Sequence, residues 1–404
     1  MNSKFDTLLQ VSHTLWSVVL PNLRENAGPN IHSKYYADVV NTHIDLAEAL
    51  FPLVPCVTRV AIGLTSPSHL FHIACERGLI KIAKYIHSGF SSEKGTKEHY
   101  DNSSLYDACK GGHLVIVKWF TETIKIPARG VGHNAFLASC EGGRLDVAQW
   151  LTERFSLTAV DIEAKKTFRN SCRNGQLDIA KWIAHKFNLT AKGARSKDNE
   201  ALRMSCGGGH LDVVIWLVDT FRLTTDDARS HHNEAFRTSC AGGFMSVAKW
   251  LVDRFDLNEE DVTSANNHAF RACCEWGYED IAKWLVERFN LTVIFGIDEI
   301  NEALFVSCLH GRLEIAKWFA EAFHMTSNNA RFKNNRTLRW SCWNGHLDIV
   351  KWLVEEFELT ESDVRSKNDK AIRWSCVMGH MDIAQWLVNK FNLNEKDYGL
   401  VGET

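Results

Sequence analysis

The stretch CWNGHLDIVKWLVEEF, residues 342–357, decides how this chain is built, because CVMGHMDIAQWLVNKF restates it from Cys376, 34 residues later. The same interval taken backwards finds Cys308, Cys274, Cys240, Cys206 and Cys172, and steps of 32, 31 and 34 then reach Cys140, Cys109 and Cys75. Ten units share one pattern. Three residues after each Cys stands Gly, from Gly78 to Gly379, and seven after it stands Ile or Val. Ten after it comes Trp in nine units, with Tyr85 in the first, and fifteen after it comes Phe in nine, with Ile124 the exception.

Ile349, Val350, Leu353 and Phe357 fall at helical spacing and predict one amphipathic helix after the Gly. A second apolar face, Phe, Leu or Ile four residues before the Cys and a small residue one before it, predicts a helix ahead of the Gly. Each unit is then two helices joined by a turn at a glycine, where positive φ costs little. Asp at the sixth offset, as in Asp146, Asp212 and Asp348, opens the second helix and suits its dipole.

A chain of 404 residues with 45% hydrophobic content can bury a large core, and its net charge of -3 supplies no overall basic field for nucleic acid or an anionic membrane. The first residues carry Lys4, Asp6 and His13 within their apolar pattern and do not read as a signal peptide. No run of about 18 apolar residues occurs, so no membrane span is expected. Ten of the twelve cysteines mark the repeat. Layers about 8–10 Å apart are too far separated for serial disulfides, which need Cα atoms within about 7 Å. The cysteines lack the clustering of zinc ligands, so small, reduced core residues in the cytoplasm or nucleus are expected. No phosphate loop, GxSxG or HExxH motif is present. The expected protein is not an enzyme and calls for no metal or cofactor.

Leu70-Phe71-His72-Ile73-Ala74-Cys75 before Gly78, and Gly345-His346-Leu347-Asp348-Ile349-Val350-Lys351, resemble the ankyrin repeat, whose signature is T-P-L-H-x-A at a period of about 33 residues. The resemblance implies an all-α, ankyrin-like helical-repeat solenoid over residues 67–393 and a non-enzymatic scaffold that binds a protein on its concave face. Tetratricopeptide repeats share the 34-residue length, but their pattern of Trp, Leu-Gly and Tyr is absent. The Trp-rich, Cys-bearing version is similar to ankyrin proteins of large DNA viruses of amoebae, which implies a host protein as partner. The family's Thr-Pro is missing from most units, where residues such as Glu200-Ala201-Leu202-Arg203 and Glu234-Ala235-Phe236-Arg237 stand instead. The linker, as in Leu359-Thr360-Glu361-Ser362-Asp363-Val364, has a Thr or Asn with Asp three residues on and predicts a capped helical turn in place of a β-hairpin finger.

Residues 1–66 do not repeat and read as an N-terminal helical cap for the exposed end of the stack. The viral resemblance implies an F-box-like alternative, in which the chain recruits substrates to a ubiquitin ligase. An F-box opens on Leu-Pro, whereas Leu20-Pro21 here follows the first helix. Residues 394–404 read as a frayed tail.

Three rows remain. The Trp row from Trp119 to Trp386 shares the core face of the second helix and reads as structural, with Trp→Ala in a central unit costing about 3–5 kcal/mol. Arg169, Arg203, Arg237, Arg271, Arg339 and Arg373, each three residues before a Cys, form a ladder. Bonds to linker carbonyls or acids are its first reading, and a track for an acidic partner or nucleic acid is its second. The third row is the stripe two before, one after and two after the Cys. It is polar or small in the middle units and becomes Trp276, then Val306 and Leu309, then Trp340 and Trp343, then Trp374, Val377 and Met378. This apolar stretch is the expected partner-binding site, with self-association as another way of covering it.

Overall fold

The computed structural model describes residues 67–90, 97–123, 131–394 and 398. The expected N-terminal cap, its F-box-like alternative and all of the tail beyond Asn394 except Tyr398 lie outside these residues. Among the described residues the regular elements are helices and no strand occurs. The fold is an all-α helical-repeat solenoid that divides into two compact units, up to Leu157 and from Thr158.

The first unit holds three repeats, built from Pro67–Glu76 with Ile80–Phe90, Lys97–Gly111 with Leu114–Thr123, and His133–Glu141 with Leu145–Phe155. The second holds seven, of which the Cys342 repeat is representative: Phe332–Trp343, a turn at Gly345, Leu347–Glu356, and a linker with the short helix Glu361–Val364. The apolar positions read from the sequence form its core. Leu338, Cys342, Val350 and Leu353 have no exposed surface, and Ile349 is also buried. Burying a side chain of this size contributes about 1.5–3 kcal/mol. All eleven described cysteines are free thiols, and burial pushes Cys342 up to about 12 despite a hydrogen bond with Ser375.

The glycine has two reasons to be invariant. Gly345 has φ +81, and a Cβ there would lie 2.5 Å from Cε1 of His380 in the next repeat. In most repeats the residue four after the Cys covers the preceding glycine turn, and at His113, Arg144, His210, Arg312 and His346 it also bonds a carbonyl there. His346 Nε2 lies 3.0 Å from the Leu309 oxygen, His210 Nε2 3.0 Å from that of Arg173, and Arg312 Nε donates to that of Glu275. These histidines tie layers together, which explains them without a metal. Among the described residues no group of three or more His, Cys, Asp and Glu could hold an ion.

The linkers form the helical turns that Thr or Asn with a following Asp predicts. Thr224, Asn258 and Thr360 make reciprocal capping boxes with Asp227, Asp261 and Asp363, and Thr326 makes one with Asn329. After each such turn comes something the sequence reading missed. Lys197-Asp198-Asn199, His231-His232-Asn233, Ala265-Asn266-Asn267, Lys333-Asn334-Asn335 and Lys367-Asn368-Asp369 are triplets in the left-handed region, with φ between +50 and +60. That conformation costs roughly 1–2 kcal/mol per residue, least for Asn and Asp, and those residue types were the available signal.

Candidate functional site

The capping carboxylates have a second role across the layers. Arg195, Arg229 and Arg331 end the linker turns of their repeats and pair with Asp227, Asp261 and Asp363, each 32 residues on. Asp363 illustrates the balance of forces: burial raises its pKa, but hydrogen bonds from Arg331, the Thr360 backbone, the Thr360 hydroxyl and Asn335 outweigh burial and hold it at about 2. Where the register continues to Phe295 and Asn329 in place of Asp, the matching Arg positions are Thr263 and Ile297. Charge is lost from both sides of the step together. Phe295 packs instead against Phe270 at 5.1 Å and Phe323 at 6.0 Å, and Asn329 donates to Asn301 at 2.9 Å.

Within the Arg ladder three before the Cys, Arg169, Arg203, Arg237 and Arg339 are bonded as its structural reading expects. Arg271 makes one long contact with the Asn266 oxygen, at 3.5 Å. Arg203 donates to the Asp198 and Lys197 oxygens, Arg237 to those of His232 and His231, and Arg339 to those of Asn334 and Lys333. These are carbonyls of the left-handed triplets, so the guanidinium stabilises the costly turn beside it. Arg169 and Arg203 also meet Glu200 and Glu234 of the following repeat, at 2.6 and 2.5 Å.

The Trp row is only half-buried. Trp250 meets Phe255 edge-on with ring centroids 6.0 Å apart, and Trp216 touches Phe168 of the preceding repeat at 6.0 Å. It packs between layers without being sealed in the core, which lowers the expected loss on truncation.

The structure brings together only part of the expected stripe. Trp340, Trp343 and Trp374, all half-buried, form an edge-to-face cluster across two repeats, with centroid separations of 6.2, 5.4 and 5.2 Å. One turn beyond Trp374, Val377 is 75% exposed, and Met378 is exposed beside it. Leu309 is half-buried, and its carbonyl is engaged by Asn344 and His346. Val306, at 8% exposure, is a core residue because it faces inward on its helix. Trp276 is 54% exposed, two repeats before the cluster.

One further row changes with the stripe. Six residues before the Cys stand Glu200, Glu234, His268 and Glu302, and then Arg336 and Lys370. Arg336 lies over the Phe305 ring at 3.6 Å and pairs with Glu302 of the preceding repeat at 3.0 Å. Lys370 Nζ and the Arg339 guanidinium both lie near the Trp374 ring, at 5.2 and 5.7 Å from its centroid. Burial and then Arg336 lower the pKa of Arg339.

A paired-helix repeat with a positive-φ glycine turn and cross-layer bonds from the residue after it is the geometry on which a family comparison can be judged. The family model described as ankyrin repeats (3 copies) matches residues 270–368 and again 304–400. Over those residues the chain is similar to ankyrin repeats. The ankyrin-like part contains the tryptophan cluster, and ankyrin repeats generally mediate protein–protein interaction. No curated protein matches the chain, so the viral resemblance rests on the Trp- and Cys-rich composition alone.

Proposed function

We propose that the chain is a non-enzymatic scaffold that binds a protein partner on the first helices of its last repeats, with Trp340, Trp343 and Trp374 at the centre of the interface. The observation that carries this reading is the tryptophan cluster: three indoles from two successive repeats gather while each keeps exposed surface, and exposed Val377 and Met378 extend them. Tryptophan and flanking cations are the side chains that dominate binding energy when a partner excludes water from them. In the middle repeats the same stripe is Asn170, Arg173 and Asn174, or Met204, Gly207 and Gly208, and offers no aromatic surface. Because the three rings cover one another, the site is smaller than four free tryptophans would make it.

A nucleic-acid track along the Arg ladder is less well supported, since several of those guanidiniums are engaged by the chain's own carbonyls and acids. The free thiols support a reducing compartment, cytoplasm or nucleus. The test is affinity capture with the wild-type chain beside a Trp340→Ala/Trp374→Ala variant whose helical circular dichroism is unchanged. Selective loss of captured proteins supports the reading. Equal recovery by both overturns it, and wild-type self-association lost in the variant would make a second copy the partner.

A further inference from the structure

Two steps of the Arg ladder have an internal carboxylate and the last has none. Arg169 meets Glu200, and Arg203 meets Glu234, each carboxylate coming from the position six before the next Cys. At the last step the corresponding pair is Arg339 and Lys370. Two cations therefore stand beside one indole, Trp374, where the Arg169 and Arg203 steps each place a cation and an anion. Among the described residues neither has an ion-pair partner. The surroundings do not compensate: Phe332–Trp343 carries Lys333, Arg336 and Arg339 with no acid, and Ser366–Val377 carries Lys367, Lys370 and Arg373 against Asp369 alone. The preceding first helix, Ile297–Leu309, is by contrast acidic, with Asp298, Glu299 and Glu302 and no base.

We propose that Arg339 and Lys370 form a receptor for a carboxylate on an acidic segment of the protein partner, with apolar residues of that segment resting on Trp340, Trp343, Val377 and Met378. This deepens the reading above and rests on it. The bound carboxylate supplies from outside what Glu200 and Glu234 supply from within. Arg339 is mostly buried, with its Nε and Nη2 fixed on the Asn334 and Lys333 carbonyls, so the cation is preorganised and little side-chain freedom remains to be lost on binding. Single-stranded nucleic acid fits less well. The indoles are engaged edge-to-face with one another, and both cations lie over the Trp374 ring, which disfavours the stacking of successive bases.

The experiment measures fluorescence anisotropy of labelled probes with the full chain: a short alternating Glu/Leu peptide, a Gln/Leu peptide of equal length, and an oligothymidylate. The expected result is binding of the Glu/Leu peptide alone, weakening as salt rises from about 50 to 200 mM. Lys370→Glu, which restores the upstream pattern opposite Arg339, should keep or raise the melting temperature and weaken that binding at least about tenfold. The retained stability separates loss of the site from loss of the fold. No binding of the Glu/Leu peptide, equal binding of the Gln/Leu peptide, preference for the oligothymidylate, or unchanged affinity in Lys370→Glu each overturns the proposal. If Trp340→Ala/Trp374→Ala loses the captured partner while Lys370→Glu keeps it, the protein-binding reading stands and the carboxylate receptor falls.

Discussion

Asp261 accepts Nε and Nη2 of Arg229, a residue of the preceding repeat, at 2.7 Å each, while its Oδ2 also accepts the backbone N–H of Asn258 at 3.0 Å. One carboxylate thus caps its own linker turn and holds the layer before it. Neither role is separable from the other by a change at Asp261. Asp261→Ala should lower unfolding free energy by about 2–4 kcal/mol, combining charged hydrogen bonds with a lost cap. A double-mutant cycle with Arg229→Ala, read by urea denaturation, should return a coupling of at least about 1 kcal/mol. Additive losses would mean that the two residues act independently.

Acid should loosen the second unit in a defined window. For Asp363, burial raises the pKa, but the bonds from Arg331, Thr360 and Asn335 prevail and hold it at about 2, below the ordinary carboxylate range. Asp227 and Asp261 shift in the same direction, with burial again opposing hydrogen bonds from Thr224 and Arg195, and from Arg229 and Asn258. A carboxyl with a depressed folded pKa adds stability above its unfolded pKa, and that stability fades as pH falls through the folded one. Denaturant midpoints should therefore fall between about pH 4 and 2, and the fall should be shallower in Asp363→Asn. An equally steep fall in that variant would assign the acid sensitivity elsewhere.

Gly345 and Gly379 separate backbone from contact. Their φ values are +81 and +80, but a Cβ at Gly345 meets the His380 ring and one at Gly379 meets nothing within 4 Å. Gly379→Ala should cost about 1–2 kcal/mol for the left-handed backbone, and Gly345→Ala measurably more. Equal melting temperatures for the two variants would show that His380 swings aside freely.

Thiol labelling should single out Cys376. It is half-buried, whereas the other ten described cysteines are buried, and burial pushes thiols such as Cys140 up to about 12. In a Cys56→Ser background, a maleimide should modify Cys376 first, with the rest reacting only as repeats unfold. Mass spectrometry of early products that found Cys342 or Cys308 ahead of Cys376 would contradict the packing.

Trp250→Ala should destabilise by about 2–3 kcal/mol, below the usual range for a fully buried aromatic. The indole keeps solvent contact on one side and an edge-on Phe255 on the other. A thermal melt indistinguishable from wild type would remove the Trp row from the list of cross-layer contacts.

The sequence by itself determined the period, the helix pairs, the glycine turns, the Thr/Asn-to-Asp caps and the buried thiols. All of these depend on interactions within a few residues or on apolar spacing along one helix, and residues such as Ile349, Leu353 and Gly345 state them directly. Only the tertiary structure decided what stands opposite what. Arg229 finds Asp261, and His346 finds the Leu309 carbonyl, because stacking brings residues 32 and 37 positions apart to one level. The left-handed triplets were not legible either, because their Asn-rich sequences resemble ordinary loop. Stacking likewise gathers Trp340, Trp343 and Trp374 but turns Val306 inward, since residues sharing a stripe on paper meet solvent or core according to how each layer rests on the next. Arg339 and Lys370 come to one indole for the same reason, and a missing carboxylate between layers is visible only once the layers are in place.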